Sequence, residues 1–234
     1  MSYTMKVFCV IPAFNEAKNI KKVIDEVKLM VDRVVVVDDG STDETYNLSR
    51  AGGATVLKHI INRGQGAALR TGVEYSLMNG ADIIVHFDAD GQFLSQDISK
   101  VIKPIKIGAA DVVYGSRFLP VFSEAEGKAK GKTAMPLIKR YFIMPLARAV
   151  NKIFFKINLT DPQSGFRAMS ARAARQVVWQ QDRMAHCSEI MLEVKKNNLR
   201  VTEVSIRVIY HNFGQSFFGG FKILKDSFIA RLVN

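Results

Sequence analysis

Cysteine is scarce enough to exclude two whole chemistries. The 234 residues hold only Cys9, inside an apolar run, and Cys187, far downstream, a spacing that offers neither a zinc ligand set nor a disulfide framework. Both are expected as reduced thiols of a cytosolic protein. Long hydrophobic runs are missing too. Lys6 is followed by five apolar residues, Val7 to Ile11, before Pro12; that is too short for a signal-peptide core and suits a first strand, so no export is implied. No internal repeat or low-complexity tract is present. A 48% hydrophobic share over this length is what one well-packed domain needs.

Acidic residues run short in one half only. Residues 1–117 carry 14 Lys and Arg against 14 Asp and Glu, whereas residues 118–234 carry 19 against 8, which accounts for the whole net charge of +11. Such asymmetry points to an anionic partner: the phosphates of a ligand, an anionic membrane face, or nucleic acid.

What is present in the first half is alternation. Val7–Ile11, Val34–Val37, Thr55–Leu57, Ile83–Phe87 and Val112–Tyr114 are short β-branched runs bounded by turn residues. Between them apolar residues recur at helical spacing, as in Ile20, Val23, Ile24 and Val27. This is the βαβ pattern of an α/β protein, a mostly parallel sheet with helices on both faces. After Arg117 the pattern changes. Glu124 to Lys132 reads as a loop or lid. In Met135 to Ile157, Arg148, Lys152 and Lys156 recur every four residues beside apolar positions, as in a helix lying in a membrane interface. Pro145 interrupts it, and only seven uncharged residues separate Arg140 from Arg148, far short of the roughly 20 that span a bilayer. An amphipathic helix packed on the sheet, its basic stripe in water, fits this pattern equally. Val201 to Tyr210 reads as a strand and Phe221 to Val233 as a final helix.

The chemistry sits at strand ends. His86-Phe87-Asp88-Ala89-Asp90-Gly91-Gln92 follows Ile83-Ile84-Val85, and paired carboxylates at the carboxyl edge of a parallel sheet form a hard-oxygen site suited to Mg²⁺ or Mn²⁺ bridging phosphates. Ile11-Pro12-Ala13-Phe14-Asn15-Glu16 closes the first strand, with Asn15 expected as an N-cap and Glu16 in the first helical turn. Val37-Asp38-Asp39-Gly40-Ser41-Thr42-Asp43 closes the second, and Asn62-Arg63-Gly64-Gln65-Gly66-Ala67-Ala68 precedes a helix. In a parallel sheet these ends share one edge and can converge on one ligand.

With Gly115-Ser116-Arg117 and Asp161-Pro162-Gln163-Ser164-Gly165-Phe166-Arg167, the ordered set resembles the family 2 inverting glycosyltransferases of the GT-A fold, a Rossmann-like architecture, in the branch of dolichol-phosphate mannose synthases and polyprenyl-phosphate sugar transferases. The resemblance runs from about Val7 to Arg167 and more loosely to Lys225. It implies one glycosyltransferase domain over 1–234, with residues 1–117 as the nucleotide-sugar half and the basic 118–234 facing acceptor and membrane. Pro12, Ala13, Phe14 and Glu16 would line the base and ribose pocket. Asp38 or Asp39 would accept a hydrogen bond from the nucleobase of a GDP- or UDP-linked sugar. Asp88, Asp90 and Gln92 would hold the cation, with Ala89 between them, while Gly66 permits close approach and Arg70 meets a phosphate. The expected activity is inverting transfer of a hexosyl group to a polyprenyl phosphate, in synthesis of a cell-envelope glycan. Its setting would be the cytoplasmic face of a membrane, peripherally bound or joined to an integral-membrane partner subunit, since many relatives append transmembrane helices.

The acceptor is argued from another absence. No Glu-Asp dipeptide, the usual general-base motif of hydroxyl-attacking members, occurs anywhere in the chain. A lipid phosphate is already ionised and needs positioning instead, for which Arg117, Ser164 and Arg167 are suited. Were the acceptor a saccharide hydroxyl, Glu189 would be the candidate base. Two departures from the branch stand out: Thr160 replaces an Arg found before the Asp of the Asp-x-x-Ser-Gly motif, and the loop around His211 offers no Lys or Arg. Sugar-phosphate nucleotidyltransferases share the topology, but Pro12 to Glu16 is not their glycine-rich loop. A basic module binding RNA or DNA is the remaining rival, and the motif set argues against nucleic acid.

Overall fold

A computed structural model describes residues 4–120 and 159–209. The expected loop 124–132, the amphipathic stretch 135–157, the His211 loop and the final helix 221–233 lie outside the described residues.

The element order is β1 (Val7–Ala13), α1 (Ile20–Val27), β2 (Arg33–Asp38), α2 (Thr45–Ala51), β3 (Thr55–Lys58), α3 (Gln65–Met78), β4 (Ile83–His86), α4 (Ile98–Lys106), β5 (Val112–Ser116), β6 (Arg167–Ser170), α5 (Ala171–Gln176), α6 (His186–Lys196) and β7 (Val201–Ser205). The central strands are β-branched and buried along their length, as strands covered on both faces must be. In α1 the residues at helical spacing, Ile20, Val23, Ile24 and Val27, are the buried ones. With α4 they form the apolar layer on one face of the sheet, while Leu69 and Val73 of α3, Ala173 of α5 and Ile190 and Met191 of α6 form the other.

The seven strands run in the order β3-β2-β1-β4-β6-β5-β7. All pairings are parallel except those of β6, which lies antiparallel between β4 and β5. The sequence reading did not mark β6, because Arg-Ala-Met-Ser has none of the β-branched character that flags a strand. Its orientation matters for the site. The amino end of an antiparallel strand lies at the edge where its parallel neighbours have their carboxyl ends, so the turn before Arg167 joins the loops that follow β1, β2, β3, β4 and β5. The run from Val201 is also shorter than its pattern suggests: Ser205 pairs with Ser116, the last residue of β5, and beyond it, among the described residues, only Val208 bridges, to Phe93.

Candidate active site

Asp88 and Asp90 follow β4 on a loop fixed from below. Phe87, Phe93 and Phe166 pack with ring centroids 5.1 to 5.7 Å apart, and Gln92 O accepts from Ile209 N at 2.8 Å. The Asp90 carboxylate accepts from the Gln92 N–H at 2.9 Å, and Gln65 Nε2 donates to Asp88 Oδ1 at 2.9 Å. The Asp88 carboxylate lies against Gly165, where an added Cβ would stand 2.8 Å from Oδ1. Burial, and then the charge of Asp90, push the Asp88 carboxyl up to about 7, against the opposing pull of Arg167. Two carboxylates in one half-buried loop, the charge of one opposing ionisation of the other, favour a cation between them. Among the described residues no three His, Cys, Asp or Glu side chains gather into a metal cage. Two carboxylates with a neighbouring amide, leaving positions for phosphate oxygens, are instead what Mg²⁺ takes in nucleotide sites, so the donor set fits such an ion.

The adjacent Asp38 and Asp39 have different duties. Asp39 braces the loop after β3, accepting from His59 Nδ1 at 2.6 Å, Arg63 N at 3.0 Å and Gly64 N at 2.6 Å. Asp38 is fully buried; Oδ1 accepts from Ser41 N at 3.0 Å, but Oδ2 has no hydrogen-bond partner, with Lys58 Nζ 4.0 Å away. Of the two, Asp38 has the acceptor oxygen without a hydrogen-bond partner, and it is enclosed by protein.

Pro12 and Ala13 end β1 beneath the surface, and Phe14 is exposed. Asn15 is not an N-cap. It adopts the left-handed region (φ 56°), and α1 begins only at Ile20 after Asn19. Asn15 instead laces two loops: its N–H donates to Ser41 Oγ, and its Oδ1 accepts from Thr42 N at 2.9 Å. Glu16, ahead of the helix, donates its N–H to Thr45 Oγ1 and accepts from Asn19 Nδ2.

The glycines near α3 allow a close approach, but of the chain to itself. A Cβ on Gly66 would collide with the Gln181 carbonyl oxygen, and Gly64 sits at φ 110° with the Asp182 carbonyl where its Cβ would be. Trp179 Nε1 donates to Gly66 O at 2.9 Å. Arg70 does not turn outward. It donates to the Trp179 and Gln180 carbonyls and to Asp182 Oδ1 at 2.6 Å. From the far side, Glu189 accepts from Gln180 N at 2.9 Å and Gln181 N at 2.7 Å. Loop 179–182 is thus bolted between α3 and α6, with Glu189 Oε2 taking both N–H bonds.

The Asp-x-x-Ser-Gly turn is built around Asp161, buried and bidentate to Arg117 at 2.6 and 2.7 Å. Glu203 of β7 accepts from the backbone of Thr160 and Asp161. The Ser164 hydroxyl, also buried, donates to Phe166 O at 3.4 Å. Arg167 differs most from a surface phosphate ligand. It is 0% exposed, in cross-strand register with His86 on one side and Tyr114 on the other. Its Nη2 donates to Cys187 Sγ at 3.2 Å, and His186 Nε2 lies 3.5 Å from the same sulfur. Burial works against a Cys187 thiolate, yet Arg167 and His186 together bring the thiol down to about 6. Arg167 Nε and Nη1, both His86 nitrogens and the Tyr114 hydroxyl have no hydrogen-bond partner. A row of buried polar groups therefore crosses the sheet from β4 through β6 to β5.

Gln65, Gly165, Trp179, Glu203 and the His186-Cys187 pair were not marked as site residues by sequence reasoning. Gln65 was within reach, standing at a helix start between two glycines. The others become visible only through contacts distant in sequence.

Comparison with known proteins completes the picture. A sequence profile described as glycosyl transferase family 2 matches residues 8–178. An uncharacterized protein of Methanocaldococcus jannaschii is 37% identical over 94% of this chain and 89% of its own length. The UDP-N-acetylglucosamine–dolichyl-phosphate N-acetylglucosaminyltransferase of Methanococcus voltae is 34% identical over 93% of this chain and 92% of its own. The polyprenol monophosphomannose synthase of Mycolicibacterium smegmatis is 26% identical over 96% and 85%. Among solved structures, glucosyl-3-phosphoglycerate synthase of Mycobacterium tuberculosis with Mg²⁺ and UDP superposes with a TM-score of 0.71 at 18% identity, covering 98% of this chain and 79% of that one. That likeness is one of fold.

Proposed function

The chain belongs to glycosyl transferase family 2, and from that premise we propose that it moves one sugar, with inversion, from a nucleoside diphosphate sugar to a polyprenyl phosphate. The observation that carries the reading is the Asp88 and Asp90 pair: two carboxylates in one half-buried loop at the carboxyl edge of the sheet, one raised to about 7. Asp88 and Asp90, with Gln92, would hold Mg²⁺ or Mn²⁺. When bound, the ion supplies countercharge for the leaving diphosphate.

The chain's own residues supply the rest. Asp38 accepts from a nucleobase N–H, and Pro12 to Glu16 flank base and ribose on a loop that Ser41 and Thr42 hold in place. Uracil and guanine both present a ring N–H beside a carbonyl, which accords with a UDP- or GDP-linked donor. On the acceptor side, Arg117 is preorganised by Asp161 beside the Ser164 turn, and Arg167 acts from behind as a buried positive charge rather than as a direct phosphate ligand. An ionised lipid phosphate needs no base, which accords with a Glu189 carboxylate engaged by two backbone N–H groups. Residues 1–117 serve the donor, and the basic 118–234 face acceptor and membrane. Among the described residues no helix is long and apolar enough to cross a membrane. The proposed setting is peripheral, at the cytoplasmic face, alone or with an integral-membrane partner subunit.

A thermal-shift panel of nucleoside diphosphates with Mn²⁺ tests this reading, since a ligand that binds only the folded state raises its midpoint. UDP or GDP is expected to raise it only when Mn²⁺ is present, and Asp90→Asn to abolish both that rise and sugar transfer to polyprenyl phosphate while the protein stays folded. A panel without any response, or full transfer by Asp90→Asn, would overturn it.

A further inference from the structure

Two isoleucines stand where a soluble surface does not ordinarily keep them. Ile60 is 98% exposed and Ile61 68% exposed, side by side on the loop between β3 and α3. The loop is held at both ends: Asp39 grips the His59 ring before the pair and the Arg63 and Gly64 N–H groups after it. Gly40 presses on it from below, so closely that an added Cβ would lie 2.7 Å from the Ile61 carbonyl carbon and Asn62 nitrogen. This backbone has fixed anchors, and it presents two β-branched side chains outward from them.

Exposed cations surround the pair. Lys58 and Arg63 bracket it in sequence, and Arg183 joins across Gly64, where its Cγ approaches within 3.0 Å of a Cβ built on the glycine. Met184, beside Arg183, is also exposed. Of the nearby acids, Asp182 is taken by Arg70 at 2.6 Å, with Arg63 4.0 Å away, Asp39 by His59 and the loop N–H groups, and Asp38 is buried 4.0 Å from Lys58 Nζ. An apolar tip inside a basic collar matches an anionic bilayer, whose acyl boundary accepts the isoleucines while its headgroups meet the cations. The tip is also close to the chemistry. Gln65 follows Ile60 by five positions, a reach below about 18 Å, and the Gln65 amide touches Asp88.

We propose that Ile60 and Ile61 insert into the headgroup boundary of an anionic membrane, seating the carboxyl edge of the sheet against the lipid surface. This rests on the lipid-linked acceptor reading and names the surface that delivers such an acceptor to the Asp88 loop.

The test is flotation of the full chain with phosphatidylcholine vesicles, with and without phosphatidylglycerol, comparing wild type with the Ile60→Ser, Ile61→Ser double variant. Wild type is expected to float with the anionic vesicles alone, and the variant's partition coefficient to fall at least about tenfold. Because the chain's one tryptophan, Trp179, is buried, an Ile60→Trp variant supplies a second readout, a blue shift of emission on adding anionic vesicles. No flotation of wild type, equal flotation on neutral vesicles, an unshifted Ile60→Trp spectrum, or a double variant that floats as wild type does would overturn the proposal. So would a wild-type dimer that the double variant turns to monomer in sedimentation, since the pair would then be a self-association surface. The Mn²⁺-dependent nucleotide shift is measured on the same proteins: lost flotation with that shift intact leaves the transferase reading untouched, and the converse sinks that reading alone.

Discussion

Cys187 is the residue whose surroundings depart furthest from its type. A buried thiol normally resists ionisation, as Cys9 does, its thiol driven up by burial. Between Arg167 and His186, Cys187 is instead brought down to about 6. With only two cysteines in the chain, thiolate absorbance in the ultraviolet should rise in a single step near pH 6, and the step should vanish in Cys187→Ala. A thiol pKa below that of the unfolded chain means the pair contributes stability at high pH and loses it as pH falls through about 6. Gly165 makes a second prediction at this scale. Alanine there forces the Asp88 carboxylate aside, so Gly165→Ala should lose the Mn²⁺-dependent nucleotide shift while its own melting point moves little. A variant that keeps the shift would mean that the carboxylate can yield without consequence.

At the scale of elements, the loops between them do the positioning. Loop 179–182 is held by Gly66, Arg70 and Glu189, so Glu189→Gln should keep turnover within about tenfold of wild type while lowering stability by about 1 kcal/mol, as expected when a charge-assisted acceptor becomes neutral. A loss of several orders of magnitude with donor binding intact would instead make Glu189 a base. Element content was largely legible in the sequence. The runs at Val7, Val34, Thr55, Ile83 and Val112 each became a strand, because β-branched periodicity is a local signal. What stayed hidden was long-range. Nothing in Asp38-Asp39 says that one carboxylate is consumed by His59, Arg63 and Gly64, and nothing in Asp161-Pro162-Gln163-Ser164 says that Arg117 and Glu203 close around it. Arg167 has the composition of a phosphate ligand, and only its register between His86 and Tyr114 puts it indoors.

For the whole molecule, the edge opposite the site is tied together by one carboxylate. Asp111 accepts from the Arg200 N–H at 2.9 Å, from the Arg200 guanidinium Nε and Nη2 at 3.0 Å each, and from Arg172 Nη2 at 2.6 Å, joining the starts of β5, α5 and β7. The Arg200 hydrogen bond, and then Arg172, hold its carboxyl well below the usual range against a burial that opposes them. A depressed carboxylate gives stability that is full above about pH 4 and is lost as the pH falls further. Asp111→Asn should therefore lower the melting point at pH 7 and flatten its decline between pH 4 and pH 2. An unchanged acid limb would mean that the three elements are held by packing alone.

The insertion of β6 between β4 and β5 also dictates an order of events at the ribosome. Strands β1 to β4 can pair as they emerge, but among the described strands β5 pairs only with β6 and β7, so although α4 already packs against it, its edges stay unpaired until about 50 further residues have been made. A nascent chain stalled some tens of residues beyond β5 but short of Arg167 would expose those edges to chaperones. The catalytic edge comes into being only when Arg167 arrives to close the gap.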